Sequence, residues 1–183
     1  KFPGISLGDS RIKDKPGERM FLLAPIYPLP DRDVKETLQE KEIDLPEDMV
    51  EVLNRVRRNF GILSLQEQVL LARSQVAMLG VGADGSEAAY RFAQIGTGHL
   101  VLADPEKFDV TNTNRELGAE NVGKNKAETL AEISGKVAPF LKKEVYPQGV
   151  NRKNIEQIIS GADLICEEMD FEKEEFIAMA LQE

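Results

Sequence analysis

Apolar residues along the 183-residue chain recur at two different periods, and the change of period predicts the layout of the fold. From Pro46, followed by Glu47 and Asp48, the positions Met49, Val50, Val52, Leu53 and Val56 fall at near-helical spacing as far as Arg58. That spacing predicts an amphipathic helix with acids in its first turn and bases in its last. Ser64 and Glu67 stand at the separation of a capping box, where each side chain satisfies the other's orphan backbone donor, so a second helix is expected from there to about Ser74. A shorter helix is expected to open at Asp31, after Pro30.

After Gln75 the period alternates. Apolar strands are predicted at 76–79, 100–103, around 144–146 and 164–166, and helices at 86–95, about 126–137 and 151–159. Strands and helices that take turns in this way imply parallel strands joined by helical crossovers, which is the α/β doubly wound class. Residues 1–45 are rich in Pro, Gly and charge, with one apolar patch at 20–27, and the composition shifts only near residue 45. The expected organisation is therefore an N-terminal extension over 1–45, of unknown role, and a nucleotide-binding domain over 46–183.

Composition narrows the picture. The chain is 42% apolar and 30% charged, as in ordinary soluble globular proteins, and no run approaches the roughly 20 apolar residues of a membrane span. A formal net charge of -9 argues against a nucleic-acid partner held by bulk charge, so a phosphate group would need a local, shaped site. Cys166 is the single cysteine, which excludes an intrachain disulfide and a cysteine-based zinc cluster. A reducing cytoplasm is the expected location. The chain starts at Lys1, with no basic, apolar and small-residue succession that would mark a targeting signal.

The chemistry enters after the first strand, at Gly80-Val-Gly82-Ala-Asp-Gly85, a G-x-G-x-x-G that leads into a helix. Glycines there allow a tight turn, backbone approach to phosphate oxygens and close helix-to-strand packing, while the helix N-terminus offers unpaired N–H groups to an anion. Asp104 closes the second strand 19 residues beyond Gly85, where an acid can accept hydrogen bonds from ribose hydroxyls. These features predict nucleotide binding, and a nicotinamide-dependent oxidoreductase would explain them equally well.

The residues beyond Asp104 separate the two readings. Asp104-Pro-Glu-Lys-Phe-Asp-Val-Thr-Asn112-Thr-Asn-Arg115-Glu116, succeeded by Val122-Gly123-Lys124-Asn125-Lys126, resembles the D-x(7)-N-x-x-R-Q and V-G-x-x-K patterns of the ThiF/MoeB/HesA family, the ubiquitin-activating-enzyme-like adenylyltransferases. The run from Asp163 to Asp170 and Phe171 is similar to that family's strand ending in a metal-binding aspartate. The lead-in from Arg58-Asn59-Phe to Gln68, with Leu71, resembles its N-terminal signature. The resemblance covers roughly residues 57–183.

It implies a Rossmann-like fold and an ATP-dependent adenylyltransferase that activates a carboxylate and releases pyrophosphate. The carboxylate implied is the C-terminus of a ubiquitin-like or sulfur-carrier protein, or a peptide. By the same resemblance Gly80, Gly82, Ala83 and Gly85 form the phosphate loop, Asp104 holds the ribose, Asn112 the phosphate region, Arg115 the β- and γ-phosphates, and Lys126 the α-phosphate. Asp170 is the implied Mg²⁺ ligand. Arg58, or Arg57 beside it, is the implied contribution to a partner subunit's site, which makes a homodimer the expected assembly. Bland readings stand beside these roles: Arg115 and Lys126 as solvated charges, Asp170 as a helix N-cap, and Arg58 as a favourable charge at a helix C-terminus. Cys166 precedes the metal position and is read as core, and His99 as structural.

The chain departs from the family pattern in its loop, where Ala83 and Asp84 follow Gly82 in place of a further glycine, and at Glu116, where a glutamine is usual. Ala83 adds a methyl group near phosphate, and the two acids bring negative charge towards a polyanion. A non-catalytic nucleotide-binding or scaffold subunit is therefore an alternative. The family domain also continues for on the order of another hundred residues beyond the position of Glu183, carrying its substrate-facing part.

Overall fold

The computed structural model describes residue 20 and residues 23–169. Two compact units are present, Lys1–Leu70 and Leu71–Glu183.

In the first unit, α1 (Val34–Glu40), α2 (Glu47–Arg55) and α3 (Leu65–Leu71) enclose a cluster in which Val34, Leu53, Leu65 and Val69 are fully buried. Asp33 caps α1 by accepting the Lys35 N–H, so the helix opens at Val34 rather than Asp31. The helix expected to reach Arg58 stops at Arg55, and Arg57–Gly61 continues as a tighter 3-10 turn, closed by Asn59 N–H donating to the Val56 carbonyl at 2.8 Å. Phe60, in that turn, is 2% exposed. The expected capping box is present, with Ser64 N–H donating to Glu67 Oε2 at 2.7 Å and Glu67 N–H to Ser64 Oγ at 3.2 Å. Buried Gln66 ties the segment before α1 to α3 by accepting the Ile26 N–H and donating to the carbonyls of Met20 and Ala24.

The second unit is a four-stranded parallel sheet in the order β3-β2-β1-β4, built from β1 (Gln75–Leu79), β2 (His99–Ala103), β3 (Lys142–Tyr146) and β4 (Leu164–Glu167). The central strands are continuous apolar runs because both faces are covered. Val76, Met78, Leu100 and Leu102 pack with α4 (Ala83–Gln94) and α5 (Lys126–Val137) on one side. Ala77, Leu79, Val101 and Ala103 pack with α6 (Ile155–Ile159) on the other. The expected α/β architecture is thus found, a Rossmann-like layering with a helical N-terminal unit.

In the second unit three element starts differ from the sequence reading by two or more residues. α4 begins at Ala83 rather than Ser86, because Gly82 itself takes the N-cap position and no connecting loop intervenes. β3 begins at Lys142, two residues early, as a solvent-facing edge strand whose first residues are charged. Asn151–Asn154 form a turn before α6, held by Asn151 N–H donating to Asn154 Oδ1 at 2.7 Å.

The chain runs outward from β1 to β2 to β3 and then returns to the far side of β1 with β4. The carboxyl ends of β1 and β4 therefore flank the point where strand order reverses, which is where open α/β sheets bind ligands. No described helix is long and apolar enough to cross a membrane.

Candidate nucleotide site

A cavity of about 570 Å³ opens at that reversal point, within the ~300–1,000 Å³ range of small-molecule sites. Its floor is the turn from β1 into α4. Gly80 has a φ of +92°, and a Cβ there would lie 2.6 Å from the Glu168 carbonyl oxygen. Gly85 approaches the same turn so closely that its Cβ would fall 2.3 Å from the Gly80 carbonyl oxygen. Gly82 meets nothing within 4 Å, so the middle glycine faces open space on the cavity wall. Among the described residues no side chain caps the first turn of α4, and Ala83, Asp84 and Gly85 of that turn line the cavity. An uncapped helix start with an open approach is suited to an anion.

Asp104 braces the turn from β2. Its Oδ2 accepts the Val81 N–H and its Oδ1 the Glu106 N–H, both at 2.8 Å, and the residue is 6% exposed. Burial pushes its carboxyl above the ordinary aspartate value, more than offsetting the two backbone hydrogen bonds and the nearby Lys126 charge. Both oxygens are thus already engaged by backbone. Glu106, two residues on, also lines the cavity with a side chain 56% exposed. Sequence reasoning misses it, because the acid that ends the strand is the obvious choice.

Lys126 is the first residue of α5, and its ammonium is 2.8 Å from Glu106 Oε2 and 3.0 Å from Glu116 Oε2. Burial works against this ammonium, but its hydrogen bonds to Glu106 and Glu116 and their charges prevail and hold it above the usual lysine value. Asn125 fixes the helix start. Its Oδ1 accepts the Glu128 N–H, while its Nδ2 donates to the carbonyls of Asp104, Glu106 and Pro147. The signal for Asn125 is its type, a strong N-cap residue directly before an apolar helical run.

Asn112 is 7% exposed, accepts the Asp109 N–H through Oδ1 at 2.7 Å and donates through Nδ2 to Glu116 Oε1 at 2.9 Å. Arg115 stands at the rim with its side chain 51% exposed, donating to the Thr111 carbonyl at 2.7 Å and to Asn114 Oδ1 at 3.0 Å. The structure therefore brings Gly80, Gly82, Ala83, Gly85, Asp104, Asn112, Arg115 and Lys126 to one cavity. Asp170 lies outside the described residues. Arg58 belongs to the other unit, where its exposed guanidinium pairs with Asp31 at 2.7 Å. Cys166 sits half-buried in β4, its thiol pushed up by burial, and His99 opens β2 with its ring pushed down by burial.

Among the described residues, no group of three or more His, Cys, Asp or Glu could hold a metal ion by itself. Asp84, Glu106 and Glu168 each line the cavity singly. A magnesium ion that arrives with phosphates requires only one or two protein carboxylates among its oxygen ligands, and such a wall fits that requirement.

In sequence and in fold the chain is similar to known proteins. The tRNA threonylcarbamoyladenosine dehydratase of Escherichia coli is 34% identical over 116 residues, 62% of this chain and 42% of that protein. The adenylyltransferase and sulfurtransferase UBA4 of Candida albicans is 32% identical over 106 residues, 57% of this chain and 24% of that one. The crystal structure of the E. coli dehydratase in complex with ATP superposes with a TM-score of 0.62 at 30% identity, covering 64% of this chain and 50% of the other. The chain thus spans half or less of the length of each of these relatives. Residues 54–178 match the family model described as ThiF family, and the chain belongs to that family.

Proposed function

We propose that the chain is the nucleotide-binding part of an ATP-dependent adenylyltransferase that activates a carboxylate. The observation that carries the reading is the convergence of Arg115 and Lys126, from two separate segments, on the cavity that also holds the glycine turn and the uncapped start of α4. A carboxylate oxygen would attack the α-phosphorus, forming a new P–O bond as the bond to the bridging oxygen breaks and its electron pair leaves with pyrophosphate. Catalysis of that kind is mostly positioning and charge stabilisation.

In this reading the helix start and Gly82 backbone receive phosphate oxygens. Lys126 faces the α-phosphate as a compact charge, and Arg115 takes the outer phosphates with its planar fork. The ribose hydroxyls are assigned to Asp104, whose oxygens each hold one backbone N–H and keep a second lone pair, and to Glu106, the more exposed acid beside it. Asn112 acts through Glu116. Magnesium, when bound, would neutralise part of the phosphate charge, with Asp84 and Glu168 as the described carboxylates able to hold it and Asp170, outside the described residues, as the further candidate. A homodimer in which Arg58 serves the partner's site belongs to the same proposal.

The carboxylate is assigned to a ubiquitin-like or sulfur-carrier protein or a peptide. The adenylyltransferase and sulfurtransferase relative supports this class, and the -9 charge of the chain weighs against tRNA, the substrate named for the dehydratase relative. A non-catalytic nucleotide-binding subunit is the second reading, favoured by the cancellation of the Lys126 charge between two acids. Pyrophosphate exchange into ATP, measured with the full-length protein and candidate carrier proteins, tests both. Exchange that depends on magnesium and is lost in Arg115→Ala is expected of the enzyme. ATP binding without exchange for any carboxylate would favour the second reading, and absence of ATP binding would overturn both.

A further inference from the structure

Glu116 is the least expected charge in the cavity. Its side chain is 4% exposed, as is that of Lys126, and the two form an ion pair of 3.0 Å. Oε1 accepts hydrogen bonds from Lys126 Nζ at 3.2 Å and from Asn112 Nδ2 at 2.9 Å. Oε2, although 3.0 Å from the same ammonium, accepts no well-directed hydrogen bond and is paired by charge alone. The Arg115 guanidinium also approaches, with Nη2 3.8 Å from Oε1. Thus both described cations of the cavity wall share one buried carboxylate as counter-ion. Among the described residues the wall carries five acids, Asp84, Asp104, Glu106, Glu116 and Glu168, against those two bases.

We propose that Glu116 is a built-in counter-ion that sets how strongly the site responds to phosphate charge. The idea rests on the nucleotide reading above and deepens it. A buried lysine without a partner is costly, so the carboxylate keeps Lys126 satisfied and oriented while the cavity is empty of phosphate. An arriving phosphate must then compete with Glu116 for Lys126 and lies near a fixed negative charge. The handicap grows with each phosphate, because repulsion scales with the ligand's charge. A divalent cation removes the handicap by cancelling that charge. Glu116 therefore acts through Lys126 and Arg115 as a positioning residue that makes the free triphosphate a poor ligand and its metal complex a good one.

Glu116→Gln is the diagnostic change, since it keeps the shape and an oxygen for Asn112 while deleting the charge. Calorimetric affinities for AMP, ADP and ATP, each with and without magnesium, are compared between the wild-type and variant proteins. The expected result is a gain in metal-free ATP affinity on the order of tenfold, with a smaller gain for ADP and the smallest for AMP. A purely structural role would change the three nucleotides alike. Equal gains, or none, overturn the inference while leaving nucleotide binding intact. Should the variant fail to fold, the wild-type protein decides: metal-free ATP binding much more tightly than AMP overturns the inference, and ATP overtaking AMP only when magnesium is added supports it. If neither protein binds any nucleotide, the nucleotide reading itself falls, and this inference with it.

Discussion

The Asp104 carboxylate receives the backbone N–H of Val81 at 2.8 Å, joining the end of β2 to the middle of the glycine turn after β1. Its other oxygen receives the Glu106 N–H, so one side chain sets the width between two loops that face the cavity. Asp104→Asn replaces one acceptor with an amide donor and leaves one of those N–H groups opposed. The buried group that loses its acceptor costs about 1–3 kcal/mol, partly offset by removal of a buried charge. Chemical denaturation should show a less stable protein, and calorimetry a weaker affinity for ATP. An unchanged midpoint would mean that water or a neighbouring group serves the N–H equally well.

A pH dependence arises at Tyr146, the last residue of β3. Its hydroxyl donates to Glu144 Oε1 at 2.6 Å, and that bond, with burial and the glutamate charge, pushes the phenol from 10.0 to about 12. The neutral phenol is favoured in the folded protein. The stability it contributes is complete below 10.0 and is lost as pH rises from there towards about 12, the window in which only the unfolded chain ionises. Ultraviolet difference titration should show a late phenolate step that is missing in Tyr146→Phe. In Glu144→Gln the step should move down towards the ordinary tyrosine value, and a step that stays in place would assign the shift to burial alone.

The alternation of strands and helices was legible because parallel, doubly covered strands are written as short apolar runs, such as those of β1 and β2, and crossover helices as longer periodic ones. Local chemistry that depends on immediate neighbours was legible too, as with the Ser64–Glu67 box. What escaped depends on contacts distant in sequence. Nothing in the spacing says that both Asp104 oxygens accept backbone N–H groups while Glu106 pairs with Lys126 at the cavity wall. Glu116 could be flagged as an acid near the phosphate region, but its burial against Lys126, 10 positions away, arises only when α5 docks beside that loop. The early start of α4 was hidden by two glycines, Gly82 at its N-cap and Gly85 in its first turn, which argue against helix by propensity yet suit the turn.

Those glycines separate fold from function in a single experiment. A methyl group at position 85 would fall 2.3 Å from the Gly80 carbonyl oxygen, a backbone atom that cannot swing away, whereas at position 82 it would meet nothing within 4 Å. Gly85→Ala must push α4 off the turn, and overpacking of that kind costs about 1–3 kcal/mol. It should lower the denaturation midpoint clearly. Gly82→Ala should fold with a midpoint close to that of the wild type. Because position 82 lies on the cavity wall, the added methyl group stands where a phosphate would approach the backbone, and ATP affinity should fall several-fold. Calorimetry on the two variants distinguishes the cases. If Gly82→Ala binds ATP as well as the wild type does, the phosphates do not approach the chain at this turn, and the placement of the triphosphate over the start of α4 is wrong.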